Sequence, residues 1–204
     1  MILGLLQTYN GEKYIDKCLR SLHAVCDKIL VLDDGSTDNT SGILCEKEWS
    51  KIAFVATLPP QPRDWMNGDS FNRNLMLRMA DRYEPEHCVS LDDDEEFEDP
   101  EEVRGFILKN NPWATAFHLV HFWDTIDVVK VRNLGSSRLN MRVRHWRWKL
   151  MEKVEPKDLH CGSSPSRAPA LVKRMECLRI LHYGYMDEAD RRQKLKMYER
   201  LDPF

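Results

Sequence analysis

The sequence predicts an α/β fold: a mostly parallel sheet flanked by helices, joined to a smaller antiparallel portion. Three observations lead there. Over residues 1–100, short apolar runs alternate with stretches of helical spacing, which argues parallel strands with crossover helices. Each apolar run ends in polar or acidic turn residues. In residues 101–204 the strand-like runs follow one another with no helix between them, which favours antiparallel pairing.

Taken in order, Ile2 to Gln7 fits a buried strand and Thr8-Tyr9-Asn10-Gly11 is turn chemistry. Glu12 to His23 has helical spacing, with Tyr14, Ile15, Cys18, Leu19 and Leu22 on one face. Lys28 to Leu32 is a second strand, ending in Asp33-Asp34-Gly35-Ser36. Thr37 or Asp38 can cap a helix running to about Glu48. Ile52 to Thr57 is a third strand, broken by Pro59-Pro60-Gln61-Pro62 and a loop to Gly68. Asp69 or Ser70 caps a helix from Phe71 to about Tyr83. Cys88 to Leu91 is a fourth strand. A helix from Pro100 to Asn110 is closed by Asn-Asn-Pro. Strand candidates follow at Trp113 to Trp123, Ile126 to Val131 and Arg138 to Trp148. Leu159 to Pro169 reads as a loop, Cys177 to His182 as a final strand, and Asp187 caps a closing helix to about Arg200.

Composition narrows the function classes. The chain has 204 residues, enough for a single domain with a full core. A net charge of −3 gives no global attraction to nucleic acid. No apolar run approaches the roughly 20 residues that span a bilayer. Met1-Ile2-Leu3-Gly4 leads directly into a strand and lacks the basic start of a signal peptide. The expectation is a cytoplasmic protein, at most peripheral to a membrane. Cys18, Cys26, Cys45, Cys88, Cys161 and Cys177 are scattered with no C-x-x-C pair, so thiols are expected rather than disulfides or a zinc site. The chain stops just after the closing helix, at Leu201-Asp202-Pro203-Phe204, which is compatible with a first module of a longer protein.

The most informative stretch is Val89-Ser90-Leu91-Asp92-Asp93-Asp94-Glu95-Glu96-Phe97. From Asp92 to Glu102, nine of eleven residues are acidic, directly after an apolar strand. Repulsion among adjacent carboxylates is relieved by a divalent cation. A solvated acidic turn before a helix is the alternative reading. A calcium loop of EF-hand type is excluded, because its glycine position holds Phe97. Parallel strands joined by crossovers put their C-terminal ends on one edge, where open α/β sheets bind ligands. Thr8 to Asn10, Asp33-Asp34 and Asp92 to Asp94 should therefore line one crevice.

The segments Leu6-Gln7-Thr8-Tyr9-Asn10-Gly11-Glu12-Lys13-Tyr14-Ile15 and Ile29-Leu30-Val31-Leu32-Asp33-Asp34-Gly35-Ser36-Thr37-Asp38 resemble the nucleotide-binding half of family 2 glycosyltransferases with the GT-A fold. Arg73-Asn74 before Leu91-Asp92-Asp93-Asp94-Glu95, and Leu181-His182-Tyr183-Gly184-Tyr185 before a charged helix, continue the resemblance. It is dense over residues 1–100 and returns at 178–203. It implies a GT-A type, Rossmann-like sheet in one domain, with residues 1–100 as the nucleotide-sugar-binding half and residues 101–204 as the acceptor-side half with the closing helix. It implies transfer of a hexosyl or deoxyhexosyl group from a UDP-, GDP- or dTDP-sugar to a glycan or lipid-linked acceptor.

The resemblance also assigns roles. Thr8, Tyr9 and Asn10 would hold the nucleobase and ribose, and Asp33 or Asp34 would accept hydrogen bonds from them. Arg73 would approach the diphosphate. In the Asp-x-Asp element, Asp92 would contact the ribose or the metal and Asp94 would bind the metal; Asp93 can substitute for either. The metal would be Mn²⁺ or Mg²⁺, chosen by hard oxygen ligands. His182 would complete its shell, with His160 as its rival; a structural histidine is the alternative. His118 and His121, three apart on a strand, face opposite sides. An inverting enzyme needs a base. The Glu-Asp pair that often supplies it is missing downstream, and Asp124 and Asp127 are the best placed substitutes, with turn residues as the competing reading.

Arg144-His145-Trp146-Arg147-Trp148, with Arg138, Arg142 and Lys149, forms a basic stripe interleaved with tryptophan. It reads by default as a solvated strand face with two core tryptophans, and alternatively as an acceptor or nucleic-acid surface. Two rival functions remain: a non-catalytic sugar-nucleotide or glycan-binding module, and a sugar nucleotidyltransferase. The second is disfavoured because no Gly-rich phosphate loop follows the first strand.

Overall fold

Period-two side-chain alternation builds the centre of the molecule. Residues 1–59, 68–129, 141–150, 163–165 and 172–201 are described by a computed structural model. The strands β1 (Ile2–Thr8), β2 (Lys28–Asp33), β3 (Ile52–Thr57) and β4 (His87–Asp92) run parallel in the order β3-β2-β1-β4. Ile2 and Leu6 of β1, Ile29 and Val31 of β2, and Val89 and Leu91 of β4 bury on one face, under the helices α1 (Ile15–Val25) and α4 (Pro100–Asn110). Leu3, Leu5, Leu30, Leu32 and Cys88 point the other way, toward Met76, Leu77 and Ala80 of α3 (Gly68–Ala80). Both faces are therefore covered, as a parallel sheet requires.

Most elements fall where the sequence places them. Helix α4 matches the expected range: Asp99 accepts from Glu102 N at 2.8 Å and Asn111 closes the helix in the left-handed region at φ 45°. One helix is shorter than expected. Its N-cap is Asn39 rather than Thr37 or Asp38, although Asp38 accepts from Thr40 N at 3.0 Å, and α2 spans only Thr40–Leu44 instead of reaching Glu48. The chain tightens through three-residue turns from Cys45 to Trp49, so that Trp49 buries while Glu46, Lys47 and Glu48 stay exposed. Helix α3 begins at Gly68, ahead of the expected Phe71. Arg138, His160 and Cys161 lie outside the described residues.

The second half adds β6 (Ala114–Trp123), β7 (Thr125–Val129), β8 (Met141–Arg147) and β9 (Val172–His182), then α5 (Glu188–Leu201). Strand β8 is antiparallel to both β4 and β6, and β7 is antiparallel to β6, as the missing helices suggest. Strand β9 begins earlier than expected and pairs parallel to β6. A short strand the sequence reading missed, β5 (Glu95–Phe97), pairs antiparallel to β9 at the far end of the sheet.

That last pairing determines the shape. Strands β4 and β5 are separated in the sheet by β8, β6 and β9, yet only Asp93 and Asp94 join them in the chain. The sheet must curl back on itself around those two aspartates. Three described cysteines, Cys18, Cys26 and Cys88, are buried free thiols, while Cys45 and Cys177 are exposed. Among the described residues, no helix is long and apolar enough to cross a membrane.

Candidate functional site

Three strand ends supply the site, and hydrogen bonds lace their loops together. The turn after β1 and the turn after β2 exchange bonds: Asp34 N to Thr8 O, Asn10 N to Ser36 Oγ, Thr37 N to Asn10 Oδ1, Gly11 N to Thr40 Oγ1 and Glu12 N to Asp38 Oδ2. Asn10 adopts φ 51°, a left-handed conformation that asparagine tolerates. Asp33 is fully buried, and its two oxygens accept from Ser36 N and Ser41 Oγ. Asp33 thus organises its own turn, and Asp34 is the half-buried member of the pair.

The three aspartates after β4 have separate partners. Asp92 is bracketed by two guanidinium groups, Arg73 at 3.0 Å on Oδ1 and Arg144 at 2.6 Å on Oδ2. Arg144 also reaches Glu95 at 2.5 Å and bonds Ser163. Asp93 turns back to the first strand, accepting from Thr8 Oγ1 at 2.7 Å and Tyr9 N at 3.2 Å. A Cβ on Gly11 would lie 2.7 Å from that same Asp93 oxygen, so only glycine fits there. Asp94 faces the second half: Lys194 Nζ lies 3.1 Å and His182 Nε2 3.5 Å from its Oδ2.

The electrostatics follow from these partners. Burial works to raise Asp92, but Arg144 and Arg73 outweigh it and hold its carboxyl below the usual range. Burial likewise opposes ionisation of Asp94, and the nearby His182 and Lys194 reverse it. Burial and the neighbouring Asp94 push Asp93 up, against the hydrogen bonds from Thr8 and the Tyr9 amide. Burial raises Glu95 as well, against the pull of Arg144. One end of the site therefore holds firm carboxylates, each matched to a cation, beside carboxyls that resist ionisation.

His182 arrives at Asp94 because β9 pairs with β5 in a register that sets it opposite Glu95. Its other ring nitrogen lies 3.1 Å from His121 Nδ1, and both rings pack on Tyr185. His121 and His118 do not meet; His118 pairs across to Arg179 in the register of β9. Trp123 stacks near Tyr185, and Arg191 lies over its ring at 4.6 Å.

The structure thus brings together Thr8, Tyr9, Asn10, Asp34, Arg73, Asp92, Asp93, Asp94 and His182. Asp124 stands further out: it has φ 62°, is largely exposed and is held by Arg191 at 2.5 Å. Asp127 lies on β7, exposed along its whole length. The basic stripe departs from its default reading: Arg144, His145 and Trp146 are buried in the sheet rather than solvated, Arg147 and Trp148 are half-buried, and only Arg142 and Lys149 of the described stripe are exposed. Sequence reasoning missed Arg144, Glu95 and Lys194 as parts of the site. The signal for Arg144 was its place in a strand whose neighbours His145 and Trp146 are buried with it; for Lys194 it was only its place in the helix after His182.

Among the described residues, no three His, Cys, Asp or Glu side chains form a ready metal cage. Asp94 and His182 nevertheless converge as an oxygen and a nitrogen donor, while both oxygens of Asp92 are engaged by arginine. Such a pair suits a cation that keeps most of its shell for water and substrate phosphates, as Mg²⁺ does and Mn²⁺ can.

Comparison with known proteins points the same way. The family model described as glycosyl transferase family 2 matches residues 5–167. Uncharacterized proteins of Mycobacterium bovis and Mycobacterium tuberculosis are each 26% identical over 208 residues, covering 99% of this chain and 51% of theirs. The chain spans about half the length of these curated relatives. The crystal structure of S. aureus TarS superposes with a TM-score of 0.61 at 22% identity, covering 98% of this chain and 40% of that one. A structure of TarS 1-349 in complex with UDP-GlcNAc gives a TM-score of 0.61 at 20% identity, covering 93% of this chain and 60% of that one.

Proposed function

The chain belongs to glycosyl transferase family 2, and from that premise we propose that it moves a sugar from a nucleotide-diphosphate-sugar donor to a hydroxyl acceptor, with a divalent cation at Asp94. One observation carries the reading. The ends of β1, β2 and β4 converge with the end of β9, so that Asp94, His182, Arg73 and the laced nucleotide-side loops meet in one cluster. The solved TarS complex with UDP-GlcNAc supports a nucleotide-sugar donor on this fold.

The roles follow from position. Thr8, Tyr9 and Asn10 lie on the nucleobase and ribose side, with Asp34 beside them. Asp92 fixes Arg73 and Arg144, and Arg73 offers charge-assisted hydrogen bonds to phosphate. Asp94 and His182 would hold Mn²⁺ or Mg²⁺, and the cation would supply positive charge against the leaving diphosphate. In transfer, the bond from the anomeric carbon to the β-phosphate oxygen breaks and its electron pair stays on the phosphate. A bond forms from that carbon to the acceptor hydroxyl oxygen, whose proton leaves to a base. Asp124 is the better placed base of the two candidates: it follows Trp123, which stacks on Tyr185 against His182, whereas Asp127 lies on the exposed strand. The acceptor is a glycan or lipid-linked hydroxyl that approaches from this second-half side.

The test is a thermal-shift panel of UDP, GDP, dTDP and CDP, each with Mn²⁺, Mg²⁺ or EDTA. One nucleotide at about 100 times its dissociation constant should stabilise the protein by roughly 2.7 kcal/mol, and EDTA should remove the shift. No shift with any nucleotide would contradict the reading. Hydrolysis or transfer of the matching nucleotide sugar then separates an enzyme from a non-catalytic binding module.

A further inference from the structure

We propose that Lys194, on the closing helix, is a ligand of the donor diphosphate that rests on Asp94 until the donor binds. The proposal builds on the donor-site reading above and adds a residue and a partner exchange to it. Lys194 Nζ lies 3.1 Å from Asp94 Oδ2, the same oxygen that His182 Nε2 approaches at 3.5 Å. The lysine side chain is 31% exposed and can therefore turn, unlike Arg144, which is buried between Asp92 and Glu95. A divalent cation and an ammonium cannot share one carboxylate oxygen, because like charges at such a distance repel strongly. A cation taken by that oxygen displaces the ammonium from it, and the phosphates that arrive with the cation offer it a new acceptor, while its contact with the Tyr185 ring at 5.2 Å keeps it beside the cluster.

The backbone is arranged for this exchange. A Cβ placed on Gly184 would collide with both Asp94 Oδ2 and Lys194 Nζ. Glycine at that position leaves the passage through which the lysine reaches the cluster. The first turn of α5 is pinned independently of Lys194: Asp187 accepts from Ala189 N, Lys13 bonds Asp187 and Asp190 at 2.9 Å, and Arg191 bonds Asp124 and the carbonyl of Tyr185. The helix can thus hold the base of the side chain still while its ammonium changes partner.

The chemistry is that of an electrostatic clamp. As the bond between the anomeric carbon and the β-phosphate oxygen breaks, the electron pair settles on that oxygen while the acceptor oxygen bonds to the carbon and releases its proton to a base. Lys194 donates an N–H hydrogen bond to the phosphate that gains charge.

The experiment measures, by calorimetry in Mn²⁺ buffer, the affinities of UDP, GDP, dTDP and CDP and of their monophosphates for the wild type, K194M and K194R. The expected result is a loss of about tenfold or more in K194M for the diphosphate that the wild type binds, an unchanged monophosphate affinity, and retention of the diphosphate preference in K194R. Wild-type diphosphate affinity in K194M would overturn the lysine's role while leaving the donor site standing. An equal loss for monophosphate and diphosphate would overturn it too, because the lysine would then serve the fold. If the wild type binds none of the nucleotides, the donor-site reading itself fails and takes this role with it.

Discussion

His145 is fully buried, with His87 Nδ1 3.0 Å from its Nε2 and Thr115 Oγ1 3.0 Å from its Nδ1. Burial, then the neighbouring His87, pulls its pKa down to about 3. His87 is also lowered, chiefly by burial, with Glu86 opposing and Arg147 assisting. Both rings are therefore neutral in the folded protein but take up protons near pH 6.5 when it unfolds. The unfolded state binds more protons below that pH, so the stabilisation from His145 is full above about pH 6.5 and is lost as pH falls toward 3, by at most about 1.4 kcal/mol per pH unit, and His87 acts in the same direction. The raised carboxyls Asp93 and Glu95 act with the opposite sign, but they do so equally in a His145→Gln variant. Urea denaturation between pH 7.5 and 5 should show the wild type losing stability more steeply than that variant; parallel pH profiles would contradict the assignment. At this scale the sequence was least legible around Asp92, Asp93 and Asp94. Three identical neighbours carry no internal label, and what separates them is the group that faces each one: Arg73 and Arg144 at Asp92, Thr8 and the Tyr9 amide at Asp93, and Lys194 with His182 at Asp94.

Strand β5 shows how an element of three residues can matter. Glu95 and Phe97 are buried, Glu96 lies between them, and Phe97 N donates to Ser21 Oγ of α1 at 2.8 Å. Tyr183 also donates to Glu96. This small strand ties the acidic turn to α1 on one side and to β9 on the other. In Ser21→Ala the Phe97 amide loses its buried partner, which costs about 1–3 kcal/mol. Chemical denaturation should show that loss, and a change below about 0.5 kcal/mol would mean that the bond is replaceable. The strand escaped sequence reading because a short run of glutamates around one phenylalanine looks like a helix approach. By contrast α4 was fully legible, since Asp99, Pro100 and Asn111 are local signals that act within a single turn. The length of α2 was not, because it depends on where Trp49 buries against the distant α1, with Arg20 over its ring.

On the scale of the whole molecule, the curl of the sheet makes the site. The parallel half places Thr8, Asp34 and Asp92 on one edge, which the alternation of strands and helices announced. The second half then returns β9 beside β5 and swings α5 over the aspartates, bringing His182 and Lys194 to Asp94. His182 was legible because it ends an apolar strand that had to rejoin the sheet. Arg144 was not, because its burial between Asp92 and Glu95 depends on β8 pairing with β4 across a long stretch of chain. A site assembled from both halves ties donor binding to the complete curled sheet, and Asp94 is its meeting point. The most direct measurement is calorimetric titration of the preferred nucleoside diphosphate into wild type and Asp94→Ala, each with Mn²⁺ and with EDTA. The expected result is binding to the wild type that depends on Mn²⁺ and is lost in Asp94→Ala. Equal affinity in the two proteins, with or without the metal, would contradict a cation site at Asp94.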